Sequence, residues 1–184
     1  MMTMRRLAVP VLSILLLLTL TSCIFSKQAG SAWVAPTFRP SAEASCLLGA
    51  IPDGGGADGV IGGSGELVRS KVRTELLKHG LAVSSASSSD LQPLLEEGRK
   101  ASAAYVVLGR IPIWEDNATE WSGKRDHAGV SLEMYEVATG KLVATAERTA
   151  DGVRTPSECA PWLAESTVRA LFGEPTDATS GPPC

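Results

Sequence analysis

The feature that most constrains this chain is a short apolar run near its amino terminus, which ends just before a cysteine. Residues 7–20 are apolar apart from interruptions such as Pro10 and Ser13, and they follow Arg5 and Arg6. A positive start followed by an apolar run of this kind is typical of a secretory signal peptide. The run has 14 residues, fewer than the roughly 20 that a membrane-spanning helix needs. We therefore expect residues 1–22 to be a signal peptide that is removed and takes no part in the fold.

The four residues at the end of this run specify how the signal is processed. The sequence Leu20-Thr21-Ser22-Cys23 matches the lipobox, in which an aliphatic residue and two small residues precede a cysteine that receives a diacylglycerol before cleavage. Several acyl chains on one residue give stable membrane attachment. Position 24 is Ile rather than the Asp that commonly retains such proteins in the inner membrane. We expect lipidation at Cys23 and an outer-membrane anchor facing the periplasm.

The rest of the chain divides into a tether, one domain and a tail. Residues 23–40 mix Ser, Ala, Gly, Pro and Lys without a sustained period, which predicts a lipidated tether. A domain is expected over residues 41–173, and a flexible tail over residues 174–184. Removing the two arginines of the signal changes the formal charge from −3 to −5. A mildly acidic chain argues against nucleic acid as a partner.

Apolar periodicity within the domain predicts the order β-α-β-α-β-β-β-α. Strands are expected at 42–51, 81–83, 104–113, 130–135 and 142–149, and helices at 64–79, 90–103 and 161–172. Ser64 and Asp90 are candidate helix caps, and Pro161 is placed at the start of the last helix. Pro112 predicts an edge or a bulge in the third strand. The fold class expected is a single α/β domain with a mixed sheet in two layers.

A glycine-rich segment at residues 54–65 precedes the first predicted helix. Helix amino termini bind anions, so a phosphate-binding loop is one interpretation. The G-x-x-x-x-G-K-[ST] spacing is absent, and no G-x-G-x-x-G is properly placed at the start of the predicted helix. A mobile connection is the favoured interpretation.

The segment with the largest number of candidate binding or catalytic side chains lies between the third and fourth predicted strands. Its candidate residues are Trp114, Glu115, Asp116, Thr119, Glu120, Trp121 and Lys124. Loops that carry costly exposed aromatic rings are common recognition sites. Three interpretations stay open: tryptophans that pack the loop on the sheet, a surface that binds a glycan or a protein, and a metal or acid–base site that also draws on Asp126 and His127. We favour packing, then binding, because no two of the acidic residues have a known metal-ligand spacing.

The same residues carry a family resemblance. The run Trp114 to Lys124 fits the pattern W-E-D-x-x-T-E-W-S-G-K, and with the following V-S-L-E-M-Y strand and A-T-G-K-L-V-A hairpin it resembles an uncharacterised family of bacterial lipoproteins. The likeness is close over residues 100–150. More distantly, the element order is similar to the small α/β domains of the curli-secretion lipoprotein, of penicillin-binding-protein-activator lipoproteins and of the Tol-system periplasmic protein. The resemblance implies an interaction domain rather than an enzyme, and it transfers no catalytic residue. Cys159 and the Gly-Pro-Pro-Cys end depart from the family pattern.

The remaining cysteines and motifs complete the expectations. With Cys23 acylated, an oxidising compartment favours one disulfide, and we expect Cys46–Cys159 rather than Cys159–Cys184. No C-x-x-C, G-x-S-x-G or H-E-x-x-H motif occurs, so neither catalysis nor a cofactor or metal is expected. The leading hypothesis is a non-catalytic, lipid-anchored domain that binds an envelope protein or glycan. The alternative is a metal-dependent or acid–base hydrolase that uses Glu115, Asp116 and Glu120.

Overall fold

The computed structural model describes residues 27–57, 59–117, 119–152 and 154–175. The predicted signal peptide, its lipobox with Cys23 and the end of the tail lie outside the described residues. Among the described residues, no helix combines the length and the apolar character needed to cross a membrane.

The described chain contains nine strands and four helices. The strands are β1 (Lys27–Val34), β2 (Ser45–Leu48), β3 (Gly55–Gly56), β4 (Gly59–Val60), β5 (Ala82–Ser85), β6 (Tyr105–Arg110), β7 (Trp114–Glu115), β8 (Asp126–Glu136) and β9 (Leu142–Gly152). The helices are α1 (Ser64–Lys78), α2 (Leu91–Lys100), the short α3 (Thr119–Ser122) and α4 (Pro156–Leu171).

Seven of these strands form one mixed sheet in the order β1-β9-β8-β6-β2-β5, with β7 also paired to β8. β5, β2 and β6 are parallel, whereas β6, β8, β9 and β1 alternate in direction. β7 continues the line of β6 along β8 after an interruption at residues 111–113, where Pro112 lies. The predicted α/β class with a mixed sheet is therefore confirmed, and so is the break at Pro112.

Helices cover both faces of this sheet. α1 and α4 pack on one face through a large apolar cluster that includes Val72, Leu163 and Leu132. α2 packs on the other face, where Leu94 and Leu95 join a second, smaller cluster. The expectation of two layers is corrected, because α2 adds a third layer over β2 and β6.

Strand β1 occupies eight of the residues that were expected to form a tether. Lys27–Val34 pairs antiparallel with most of β9, from Lys27 opposite Asp151 to Val34 opposite Ala144. The tether prediction is wrong for these residues. The physical reason is that an edge strand needs only one hydrogen-bonded neighbour and no buried face of its own, so small and polar residues suffice.

The last helix begins at Pro156, five residues before Pro161, its predicted start. Thr155 is its N-cap, and its side chain accepts a hydrogen bond from the amide of Glu158 while the Glu158 carboxylate accepts one from the amide of Thr155. This reciprocal pair is a capping box, and Pro156 follows at the first helical position, where a missing N–H costs nothing. Pro161 lies inside the helix.

The two cysteines expected to form a disulfide are buried thiols that are not joined to each other. Cys46, at the start of β2, lies level with Tyr105 and Glu136. Cys159 lies in the first turn of α4, the helix that follows the opposite end of β9, and its thiol points to the carbonyl of Arg154 at 4.0 Å. β8, which runs between these two ends of the sheet, is roughly 30 Å long, whereas a disulfide needs Cα atoms within about 7 Å.

Candidate functional site

The candidate loop lies at the edge of the sheet where β2, β6 and β9 end and where β1 and β8 begin, which we call the carboxyl edge. A row of register partners marks it: Glu115 faces His127, His127 faces Asp151, and Asp151 faces Lys27. The loop between β7 and β8 extends beyond this row. Loops at the carboxyl ends of strands in open α/β sheets are frequent ligand sites.

The two tryptophans of the loop have opposite environments. Trp114 is 2% exposed and belongs to the main apolar cluster, on a strand whose register partner is Ala128. Trp121 is 89% exposed. Trp114 therefore supports the packing interpretation, and Trp121 the binding interpretation.

A network of short hydrogen bonds holds the loop in place. The buried carboxylate of Asp126 accepts a hydrogen bond of 2.6 Å from the amide of Asn117. The side-chain amide of Asn117 donates to the carbonyl of Arg125 at 2.6 Å, and the hydroxyl of Ser122 donates to the carbonyl of Asn117 at 2.6 Å. The Lys124 amide donates to Ser122 Oγ at 3.0 Å. Asp126, considered as a ligand from the sequence, thus organises the loop.

The other predicted residues of the loop are divided between structural and solvent-facing positions. The amide of Ala57 donates to Oε1 of Glu115 at 3.3 Å, so this carboxylate ties the loop to the glycine-rich segment. Asp116 and Lys124 are exposed. The side chains of Thr119 and Glu120 lie outside what the structure describes.

The glycine-rich segment, expected to be a mobile connection, contains a small hairpin. β3 and β4 pair through Gly55–Val60 and Gly56–Gly59, and the amide of Ile61 donates to the carbonyl of Gly54 at 2.9 Å. Gly56 lies so close to the side chain of Glu115 that a Cβ there would overlap it. The hairpin therefore packs beside β7 at the carboxyl edge.

The amino terminus of α1 is occupied by a side chain of the protein itself. Oδ1 of Asp53 accepts from the amide of Gly65 at 2.7 Å, and Oδ2 accepts from the amide of Gly63 at 3.1 Å. These bonds, the one from Gly65 first, hold the pKa of Asp53 below its ordinary value. The expected cap, Ser64, is instead a buried residue of the first turn that donates to the carbonyl of Ile61 at 2.8 Å. Donors that an external phosphate would need are thus already in use.

One hydrogen-bonded pair of side chains at the carboxyl edge was not found from the sequence. Nδ1 of His127 lies 2.8 Å from Oδ1 of Asp151, and both side chains are about one-third exposed. Within the described ranges, no group of three or more His, Cys, Asp or Glu side chains is arranged to hold a metal ion. The pair links β8 to β9 on the face of the sheet that bears Glu115.

A family model decides the relationship of this chain to other proteins. The model of the domain of unknown function DUF4823 matches residues 39–155, which include the loop, its hydrogen-bond network and the glycine hairpin. The chain belongs to the DUF4823 family. The resemblance inferred from the W-E-D-x-x-T-E-W-S-G-K segment is thereby confirmed.

Solved structures extend the likeness of this DUF4823 protein at the level of fold. It is similar to PelC from Paraburkholderia phytofirmans, solved as a dodecamer, with a TM-score of 0.61 and 20% sequence identity over 79% of this chain and 97% of that chain. It is less similar to the LpoB C-terminal domain from Salmonella enterica, with a TM-score of 0.47 and 13% identity over 61% of this chain and 84% of that chain. No curated protein sequence matches the DUF4823 chain.

Proposed function

We propose that this DUF4823 protein is a lipid-anchored protein of the cell envelope, attached through Cys23, whose α/β domain is non-catalytic and binds another envelope component at the carboxyl edge. The lipobox supports the anchor, and Ile24 favours the outer membrane with the domain facing the periplasm. The observation that carries the binding role is Trp121, an 89% exposed indole on a loop that internal hydrogen bonds hold in place. Large exposed apolar groups on ordered loops mark interaction sites.

The alternative, a hydrolase that uses Glu115, Asp116 and Glu120, has less support from the described contacts. The carboxylate of Glu115 already accepts a hydrogen bond from Ala57. The neighbouring Asp126 is buried and bonded to Asn117. A general acid or base needs its carboxyl group within reach of a substrate. These two carboxylates instead accept hydrogen bonds from backbone amides of the protein. Melting of the purified protein that is unchanged by Ca²⁺, Mg²⁺ or Zn²⁺ is the expected result, whereas a clear rise would favour the metal-dependent alternative.

Site-specific photocrosslinking tests the binding role. A photoreactive amino acid at Trp121 in the full-length protein, irradiated in native membranes, is expected to capture an envelope component. The control position is Lys141, an exposed residue in the turn between β8 and β9 at the opposite edge of the sheet. Equal capture from both positions would exclude a specific binding role for the loop.

Metabolic labelling tests the anchor separately. Incorporation of a palmitate analogue is expected in the wild-type protein and should be lost in Cys23→Ala. Labelling that persists in this variant would contradict attachment at Cys23.

A further inference from the structure

We infer that the envelope component contacted by Trp121 is the surface of the lipid bilayer that holds the protein's own anchor. This inference rests on the proposed lipid attachment at Cys23. It names one occupant for the carboxyl edge, a phospholipid surface, rather than a protein or a glycan.

The direction of β1 places the anchor at this edge. Lys27, the first residue of β1, is the register partner of Asp151 near the end of β9. Cys23 precedes Lys27 by four residues, which span at most about 14 Å even when fully extended. The lipid on Cys23 is therefore held within a short distance of the carboxyl edge, and this edge is the part of the domain that the bilayer surface meets.

The exposed apolar side chains at this edge come from two neighbouring segments. Trp121 is 89% exposed on the loop after β7, and Val60 is 76% and Ile61 38% exposed beside β4. The contacts of Glu115 with the glycine hairpin join the two segments. Of five large apolar side chains exposed in the described ranges, three thus lie at the edge where the anchor enters.

The other two lie elsewhere. Trp33, 49% exposed, faces Thr145 near the far end of β1, six residues from Lys27, or roughly 20 Å along the strand. Leu77, 43% exposed, lies in the last turn of α1. This distribution of exposed apolar side chains agrees with a domain whose carboxyl edge contacts the membrane surface.

The chemistry of tryptophan suits this position. Its ring is apolar and its N–H is a hydrogen-bond donor, and tryptophan is enriched where bilayer hydrocarbon meets the headgroups. Charges of both signs accompany it, since Lys124, Arg154 and Asp116 are all exposed near the same edge. The apolar side chains, rather than net charge, therefore carry the contact.

Fluorescence quenching by the bilayer tests the inference. The purified lipidated protein is reconstituted into vesicles of phosphatidylethanolamine and phosphatidylglycerol, with and without phospholipids brominated near the headgroup. Bromine quenches only tryptophans that reach the membrane interface. We expect clear quenching of the wild-type protein, loss of most of that quenching in Trp121→Phe, and full retention in Trp33→Phe, the matched control at the opposite edge. Equal quenching of wild-type protein and Trp121→Phe overturns the inference.

Two further readouts separate this inference from the proposed function. Mass spectrometry of the vesicle-bound protein reports the acyl chains on Cys23; protein without them contradicts the anchor, and with it the basis of the inference. Photocrosslinking from position 121 in native membranes should yield phospholipid adducts. Capture of a protein or a glycan instead overturns the bilayer contact and leaves the proposed binding function in place.

Discussion

The carboxylate of Asp53 accepts a hydrogen bond of 2.7 Å from the amide of Gly65, twelve residues further along the chain. Asp53 precedes the glycine hairpin, and Gly65 is in the first turn of α1. One side chain therefore links the residue before the hairpin to the start of the helix and accepts from two amides there, whereas the N-cap residue makes no side-chain capping bond.

Replacing Asp53 is expected to destabilise the domain. Asp53→Ala leaves the amides of Gly63 and Gly65 without their acceptor, so thermal melting should shift to lower temperature. The matched control is Asp90→Ala, because Asp90 is the N-cap residue of α2 but makes no side-chain capping bond. A larger loss of melting temperature in Asp90→Ala than in Asp53→Ala would contradict the assignment.

The Asp53 interaction should also depend on pH. Its pKa in the folded protein lies below the ordinary value of 3.8, so the ionised form is favoured by folding. The stabilisation is present above pH 3.8 and is lost as the pH falls through the lower, folded-state pKa. The difference in melting temperature between wild-type protein and Asp53→Asn should shrink over this acid range, and a difference that grows on acidification would contradict the direction of the shift.

Gly65 should not tolerate a side chain. A Cβ at this position would overlap the carbonyl oxygen of Ile51, and this neighbour is backbone. Gly65→Ala is expected to cost about 1–3 kcal/mol of unfolding free energy, as overpacking commonly does. Gly62→Ala is the control, because a Cβ at Gly62 meets nothing within 4 Å. Urea denaturation measures both, and similar losses in the two variants would show that close approach is not the cause.

Substitutions of the two tryptophans, Trp114 and Trp121, should differ in their effect on the free energy of unfolding. Trp114→Ala removes a buried ring and is expected to cost about 3–5 kcal/mol. Trp121→Ala changes a side chain that is 89% exposed, and stability should stay within about 0.5 kcal/mol of wild type. Urea denaturation in detergent solution compares them. A large loss in Trp121→Ala would show that the ring packs on the domain rather than faces outwards.

The buried cysteines should be unreactive in the folded protein. Burial raises the pKa of the Cys46 thiol to about 12, which removes the reactive thiolate at neutral pH. Alkylation of Cys46 and Cys159 is expected only after denaturation, and a reducing agent should leave the melting temperature unchanged. A cysteine introduced at the exposed Ser70 of α1 serves as the labelled control. A linked peptide containing both Cys46 and Cys159 would restore the disulfide hypothesis.

The elements that the sequence predicts well are those with a buried apolar face. β6, β8, β9 and the helices α1 and α2 lie within a few residues of their predicted positions. β1 escaped detection because its composition, KQAGSAWV, has no apolar alternation. β1 is stabilised by pairing with β9, and pairing with a strand so distant in sequence produces no recognisable local pattern.

The hydrogen-bonded pair of His127 and Asp151 shows a second limit of prediction from the sequence. Counting from the turn at Gly140 with constant register places Ala150 opposite His127. An irregularity between Met134 and Tyr135 shifts the register by one residue and brings Asp151 opposite His127 instead. One bulge thus changes which side chains meet at the far end of a hairpin. The capping box of Thr155 and Glu158, by contrast, was readable in the sequence and marks the true start of α4.

Pairing between β1 and β9 has a consequence for the order in which the sheet forms. Arg148 on β9 binds the carbonyl of Ser31 on β1, 117 residues earlier, and contacts this distant in sequence form late in folding. During synthesis, β1 has no strand to pair with until β9 has been made. Strand β1, which directly follows the proposed lipidation site in the sequence, is therefore the last strand to join the sheet.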